Sequence, residues 1–572
     1  MSYRWIVDRS DDMSENVAEM IVDSLVNSGV GRIYGVPGDS INPLVEAIRR
    51  SGKIKYVQVR HEEGGAFAAS FDSKFSGGLS ACFGTSGPGS IHLLNGLYDA
   101  KMDRASVIAI TGQVSTDLIG RNSHQEVDLV RLFDDVTVFN RLVTDAESAP
   151  YLVARAIREA RLSHGVAHLN FPVNLLNQRL ENQERYLAEP PKAVYSPDLT
   201  QVAKLIEKSK RPALLIGAGT IDESDLLDTL SEKIGAPVIY SLLGKGVMAD
   251  DDPRVMGGLG LLGSRPGLSA IKKSDLIIAV GSSFPYRKYI PDDRKIVHVD
   301  IDAGAPNRVF NASVHVLSSS HDFLSSIIGK IPIKTDKFFD ELQGTRKEWH
   351  ERLTEDEKRS TEGVNPMMLA RALSEEAEMG ATIVTDTGNT TVWIARHFQA
   401  SSGQRFLFSG GLASMGNALP GALGIAISQD KPVIVAVGDG GLAMTMMELS
   451  TVKKYNIPLK IVVFNNSKLA MIKFEQEVQG FPEWGIDLYN PDFSVVAKAY
   501  GIDSDRIMGN GNLRGNVRNM LDHDGPFLLE AITDPDVRPM PPKVTVEQAA
   551  GYLTANIREH VGYIPEAAQM RD

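Results

Sequence analysis

The chain has 572 residues, 43% of them hydrophobic and 23% charged, the balance of a globular protein long enough for roughly three or four domains. Its 60 basic and 72 acidic residues leave a formal net charge of −12, and with no basic cluster this speaks against a nucleic-acid surface. No run approaches the ~18–20 apolar residues of a membrane span, and the acidic start MSYRWIVDRSDDMSE has no signal-peptide core. The lone Cys82 lies in an apolar run, reads as core and suits a reducing cytoplasm.

Residues 14–190 read as the first domain. A helical pattern runs through Val17, Met20, Ile21, Leu25 and Val26, with Ser14 as its N-cap. A short strand follows near Ile33 and breaks at Gly35-Val36-Pro37-Gly38, and a helix begins near Ile41. A strand over 55–59 runs into Arg60-His61-Glu62-Glu63, and then a helix of small residues over 64–73. A strand over 80–83 opens into Thr85-Ser86-Gly87-Pro88-Gly89-Ser90 and a helix carrying His92, followed by a strand over 106–111. Strands alternating with helices predict a doubly wound parallel sheet. Residues 181–196, rich in Glu, Pro and Lys, read as a linker.

The second domain, 191–345, is a series of apolar strands ending in small or acidic residues. The strand over 212–216 ends in Gly217-Ala218-Gly219, and helix 224–234 follows. The strand over 237–240 leads to Ser241-Leu242-Leu243-Gly244-Lys245. Loops Gly257-Gly258-Leu259-Gly260 and Gly263-Ser264-Arg265 come next. The strand over 276–280 ends in Gly281-Ser282-Ser283-Phe284-Pro285-Tyr286-Arg287, and that over 296–299 in Asp300-Ile301-Asp302. A single Gly-x-Gly fits a turn as well as a nucleotide. These strand ends and loops can together line one sheet edge with backbone donors for a pyrophosphate, with Arg265 and Arg287 to meet its charge.

The third domain, 346–572, holds the densest signal. A helix over 366–377 leads to a strand over 382–385 and Asp386-Thr387-Gly388-Asn389. The loop 409–416 ends in Met415-Gly416. The apolar run 433–437 then stops at Gly438-Asp439-Gly440-Gly441. A helix with Met444, Met447, Leu449 and Val452 on its apolar face crosses to a second run, 461–464, that stops at Asn465-Asn466. Asp439 and Asn466 are hard oxygen donors past two strand ends and suit one octahedral Mg²⁺. The glycines admit a diphosphate, and the helix start favours its charge.

This strand–helix–strand unit resembles the thiamine diphosphate motif. There the Asp, the Asn and a carbonyl two residues later bind the metal that holds the diphosphate; the resemblance implies Asp439, Asn466 and the carbonyl of Lys468, with Gly438, Gly440 and Gly441 against the cofactor. The order of strand, Arg-His-Glu and small-residue helix resembles the first domain of the pyruvate oxidase and acetohydroxyacid synthase family. It implies that Glu62, not Glu63, hydrogen-bonds the pyrimidine ring and activates the thiazolium carbon. Residues 85–100 are similar to the family's Gly-Pro-Gly loop and helix. Pyruvate oxidases have His where His92 stands, within reach of a bound 2-oxo acid; the synthases usually have Asn. Gln125 and Glu126 match the family's Phe-Gln-Glu stretch, and His124 replaces the Phe, which implies a more polar pocket wall. Met415 stands where the family places a bulky apolar residue beneath the cofactor. Glu475 stands where pyruvate oxidases have a glutamate contacting substrate and the synthases a tryptophan.

The middle loops resemble the family's flavin domain, and GSSFPYRKYIP with KIVHVDID is especially similar to quinone-dependent pyruvate dehydrogenases. FAD is then expected on Gly217, Gly219, Gly244 and Lys245, on Gly263 and Arg265, on Gly281, Ser282, Phe284 and Arg287, and on Asp300 and Asp302. The C-terminal stretch from Pro541-Pro542 resembles the start of a membrane-docking tail. Its stripe of Val546, Ala549, Ala550, Leu553 and Ile557 is interrupted by Gly551 and Gly562, so peripheral membrane contact is the lesser expectation.

Taken together, the resemblance implies three α/β domains and an active site between Glu62 of one subunit and Asp439 of another, so a dimer at least and a tetramer by expectation. The implied reaction is oxidative decarboxylation of pyruvate, a 2-oxo acid, through a thiamine diphosphate enamine. Electrons pass to FAD and then to quinone or dioxygen, giving acetate or acetyl phosphate. An acetohydroxyacid synthase, in which the enamine attacks a second 2-oxo acid, and a non-catalytic relative are the alternatives.

Overall fold

The computed structural model describes residues 15–181, 186, 197–284, 286–305, 308, 311–429, 431–539, 551, 554 and 555. Ser14, Pro285 and most of the expected linker and C-terminal stripe lie outside them. The chain forms two compact units, residues 1–192 and 193–572, the first with one sheet and the second with two.

The first unit carries β1 (Arg32–Gly35), β2 (Lys55–Gln58), β3 (Ser80–Gly84), β4 (Val107–Gln113), β5 (Phe139–Leu142) and β6 (Val166–Pro172). They lie in the order β2-β1-β3-β4-β6-β5. Its first helix, Val17–Asn27, is capped by Asn16, whose side chain accepts from Glu19 N–H while Glu19 reaches back to Asn16 N–H, a reciprocal capping box. Helix Glu62–Ser76 begins two residues before its expected start, with His61 as N-cap, so Glu62 sits in its first turn. Its glycines, alanines and phenylalanines at 64–69 are all buried, and a Cβ placed on Gly96 of helix Leu94–Met102 would stand 2.5 Å from Phe67 N, so the two helices pack backbone to backbone.

In the second unit, β7 (Pro212–Ile216), β8 (Val238–Tyr240), β9 (Val255–Gly258), β10 (Leu276–Val280), β11 (Lys295–Asp300) and β12 (Val314–Leu317) form a sheet in the order β12-β11-β10-β7-β8-β9. Numbered from its own first strand this is 6-5-4-1-2-3, the order of dinucleotide-binding sheets, with its switch point between β7 and β10. The other sheet holds β13 (Thr382–Thr385), β14 (Arg405–Leu407), β15 (Val433–Gly438), β16 (Leu459–Asn465), β17 (Asp503–Ile507) and β18 (Phe527–Ile532), in the order β14-β13-β15-β16-β18-β17. That is the order of the first sheet again. The ladders in all three sheets are parallel, and the central strands are buried from end to end, which is why they read as unbroken apolar runs.

Two expectations are corrected. Gly257 and Gly258 belong to strand β9 and not to a loop; two glycines at its end hid it. The helix after β15 is broken into Asp439–Thr445, a 3₁₀ turn at Met446–Glu448 and Leu449–Lys454. The tighter turn shifts the helical phase, so Met444 is exposed and Glu448 takes a buried position.

Lys245, expected on a cofactor, is paired within the chain. Its ammonium is buried against Asp250 and donates to Tyr240 Oη at 3.2 Å, while Tyr240 Oη donates to Asp250 Oδ1 at 2.8 Å. Asp250 Oδ2 accepts Ala400 N–H at 2.8 Å, so this pair ties the second sheet's loops to the chain before β14. Replacing Asp250 by Ala would strand a buried ammonium and is expected to cost about 3–5 kcal/mol in a urea melt. Lys245→Met should cost less, because Asp250 keeps the Tyr240 hydroxyl and the Ala400 N–H. The reverse order would show that the ammonium carries no such burden.

Candidate functional site

The in-register pairing of β15 with β16, Gly438 beside Phe464, brings Asp439 and Asn466 to neighbouring strand ends. Asp439 opens helix Asp439–Thr445 and is 3% exposed. Burial pushes its carboxyl above the ordinary carboxylate range, against the hydrogen bond it accepts from Asn490 Nδ2 at 2.6 Å. A bound divalent cation reverses that tendency. Asn466 Oδ1 accepts Lys468 N–H at 3.0 Å, which folds residues 466–468 into a turn beside Asp439. Asn465, the other member of the pair, is committed to the fold: its Nδ2 donates to the buried Glu530 at 2.7 Å. Hard oxygen donors at Asp439, Asn466 and the Lys468 carbonyl fit Mg²⁺.

A cleft of ≈ 300 Å³ opens over this turn, lined by Met415, Asp439, Gly440, Asn466, Lys468 and Glu475 among others. A Cβ at Gly440 would lie 3.2 Å from Met415 Cε, Leu469 Cδ2 and Leu488 Cδ1, so the cleft floor is closely packed. Asn389 also lines the cleft, and its buried Oδ1 has no donor among the described residues, which suits a polar ligand group. Leu262 and Tyr286, from the loops after β9 and β10, line the same cleft.

Asp386 was legible only as part of a strand-ending Asp-Thr-Gly-Asn, with no role. It is fully buried and accepts Thr387 N–H at 2.7 Å, Gly416 N–H at 3.0 Å and Asn417 Nδ2–H at 3.0 Å. It thereby holds the backbone on both sides of Met415–Gly416 in place. Burial outweighs these donors and pushes its carboxyl up to about 7.

In the first unit Glu62 is 7% exposed and shares a hydrogen bond of 3.0 Å with His92 Nδ1. The His92 ring, itself exposed, stacks on His61 at 4.3 Å. The sequence placed His92 toward substrate; the fold also makes it a partner of Glu62. A Cβ at Gly89 would stand 2.9 Å from Glu62 Oε1, so the Gly-Pro-Gly loop passes directly over the carboxylate. Gln125, at φ 61°, accepts weakly from Ser86 Oγ at 3.4 Å. Glu126 turns away to accept the backbone N–H groups of Gly120 and Ser123, which hold its carboxyl below the usual range, and His124 is exposed.

At the middle sheet's switch point the loops after β7 and β10 close on each other: Gly219 N–H donates to Gly281 O at 3.0 Å, and a Cβ on Gly217 would lie 2.5 Å from the same oxygen. Gly244 abuts Ile216 O and Gly263 abuts Gly258 O in the same way. These glycines serve loop-to-loop packing. Ser282 Oγ after β10 and Ser318 Oγ after β12 are buried without a partner among the described residues, which leaves two hydroxyls that could serve a polar ligand. Asp300 Oδ1 accepts Asp302 N–H at 2.9 Å, shaping the loop after β11. Phe284 is buried with Tyr286 against its edge. Arg287 pairs with Asp292 at 2.7 Å and Arg265 lies 3.7 Å from Glu348, so both cations already face carboxylates.

Comparison with known families places these features. Residues 15–132, 199–327 and 386–531 match the N-terminal thiamine pyrophosphate-binding, central and C-terminal thiamine pyrophosphate-binding domains of thiamine pyrophosphate enzymes. The chain belongs to the thiamine pyrophosphate enzyme family. Among its relatives is a putative thiamine pyrophosphate-containing protein of Bacillus subtilis, 35% identical over 94% of this chain and 95% of that protein. A pyruvate oxidase of Lactiplantibacillus plantarum is 29% identical over 90% and 87%, and a probable acetolactate synthase large subunit of Methanocaldococcus jannaschii is 30% identical over 92% and 93%. In this family member both cofactor-binding domains are therefore present. Among the described residues no helix is long and apolar enough to cross a membrane.

The raised Asp386 carboxyl has a testable sign. The folded chain holds a proton that the unfolded chain releases near its ordinary value, so the stabilisation is full at low pH and is lost as pH rises through about 7. Relative to Asp386→Asn, the cofactor-free parent should lose melting temperature between about pH 4 and pH 7 and level off above that. A pH-independent gap would mean that Asp386 does not titrate there.

Proposed function

We propose that this chain oxidatively decarboxylates pyruvate or a close 2-oxo acid, using thiamine diphosphate, Mg²⁺ and FAD, and passes the electrons to quinone or dioxygen with acetate or acetyl phosphate as product. The observation that carries the reading is the meeting of Leu262 and Tyr286, from a sheet of dinucleotide-binding order, with Met415, Asp439 and Glu475 in one cleft. A redox group held on that sheet has a short path to the reacting carbon. Thiamine diphosphate, when bound, supplies the electron sink for decarboxylation.

The chain's own residues then divide the work. Asp439, Asn466 and the Lys468 carbonyl hold the cation and through it the diphosphate. Met415 supports the cofactor from the cleft floor. Glu62 moves the proton at the pyrimidine, and His92 orients the carboxylate through its 3.0 Å hydrogen bond. Glu475, on the exposed side of the cleft, meets the substrate. Ser282, Ser318 and the loops after β7 and β10 hold the flavin nucleotide. The proposed assembly is a homo-oligomer, a dimer at least and a tetramer by expectation, working in the cytoplasm.

A second reading, acetolactate synthesis, is favoured by relatives of that name at 30% identity. Glu475 and His92 weigh against it. Anaerobic mixing of the holoenzyme with pyruvate separates the two. Bleaching of the flavin absorbance is the expected result, and a flavin that stays oxidised while acetolactate accumulates would establish the synthase instead. Absence of bound flavin would remove the FAD assignment. In the same assay Glu62→Gln is expected to lose about 10²–10⁴-fold in rate, and parental activity would leave Glu62 without a proton-transfer role.

A further inference from the structure

Asn490 lies outside every motif of the sequence, yet its side chain reaches Asp439. Its Nδ2 lies 2.6 Å from Asp439 Oδ2 and 3.0 Å from Asn465 Oδ1. A carboxylate only accepts, so the amide must present its nitrogen here, and both of its N–H groups are spent on these two oxygens. Asn490 is held in turn from both sides. After it, Asp492 caps helix Phe493–Ala499, and Ser494 N–H donates to Glu530 Oε2 at 3.1 Å; Glu530 Oε1 accepts from Asn465, which closes a ring of hydrogen bonds back to Asn490. Before it, residues 486–488 run antiparallel to 467–469. Leu469 N–H donates to Ile486 O and Leu488 N–H to Ser467 O, each at 2.8 Å. The Lys468 ammonium pairs with Asp487 at 2.7 Å and with Glu483, and Glu483 also binds Lys473 at 2.9 Å.

We propose that Asn490 is a positioning residue of the cation site, and that the segment 486–490 clamps two of its three donors. The amide engages Asp439 Oδ2, which would leave Oδ1 for the cation, while the antiparallel pairing fixes the backbone at Lys468. The inference rests on the assignment of Asp439 and Lys468 as cation ligands. Removing a hydrogen-bond partner of a metal ligand typically weakens metal affinity by about 10–100-fold.

The test is the Mg²⁺ dependence of thiamine diphosphate binding to the full-length apoprotein, followed by titration calorimetry. Asn490→Ala is expected to raise the half-saturating Mg²⁺ concentration by about 10–100-fold, with an unchanged circular dichroism spectrum and full cofactor binding at saturating Mg²⁺. Should that variant misfold, Asn490→Ser, too short to reach Asp439, must give the same shift. A shift of less than about twofold in a folded variant, against the expected tenfold or more, overturns the proposal. Asp439→Ala serves as the reference. If it abolishes the Mg²⁺ response while the Asn490 variants do not, the cation site stands and the positioning role falls; if it leaves the parental response intact, the cation assignment falls and the role with it.

Discussion

Two buried parallel strands ending side by side are the constraint on which the candidate site depends. The ladder between Val433–Gly438 and Leu459–Asn465 is unbroken through Gly438 and Phe464, so the next residues of both strands emerge together. Position alone would leave Asp439 as a buried carboxylate at a helix start. The amide of Asn490, the turn at Asn466 and the clamp on Lys468 convert it into one corner of an oxygen-rich site. Burial raises its carboxyl, so the charge it would carry is uncompensated within the chain except by its hydrogen-bond donors.

Identical strand orders in the first and third sheets carry different chemistry. Glu62 follows β2, at the edge of its sheet, whereas Asp439 follows β15 in the interior of its own. The difference lies in the residues placed at the strand ends and not in the scaffold. The middle sheet departs from both, and its switch point is where the Gly217–Gly219 and Gly281–Ser282 loops meet. Buried polar groups stabilise these loops in place: Asp386 beneath Met415–Gly416 and the Lys245–Asp250 pair before β14. Each is costly to desolvate, so each is fully engaged, and each orients a segment that no apolar contact could orient as narrowly.

Much of the architecture was legible because parallel sheets buried on both faces require continuous apolar strands. The strands at 212–216, 276–280 and 382–385 fall where the runs predict them. Two edge strands were not legible: β9 ends in two glycines, and β17 is largely polar because one of its faces is in water. Met444 was misplaced because a 3₁₀ turn interrupts the helical period. The pairing of Lys245 with Asp250 was not legible either, because nothing local announces Asp250 folding back onto it.

What the amino-acid sequence determined by itself is a set of strand ends with Glu62, Asp439 and Asn466 just beyond them, and the loop and helix that carry Met415 and Glu475. Strand propensity and turn residues act over a few positions, and a motif is a local arrangement. Which of these groups act together was decided only in three dimensions. His92 meets Glu62 across 30 positions of chain, Asn490 meets Asp439 across 51, and Tyr286 reaches a cleft built largely by residues of the third sheet's domain. Those pairings depend on strand order and crossover packing, which no local pattern encodes, because the hydrogen bonds that make the site join segments whose proximity exists only once the sheets have formed.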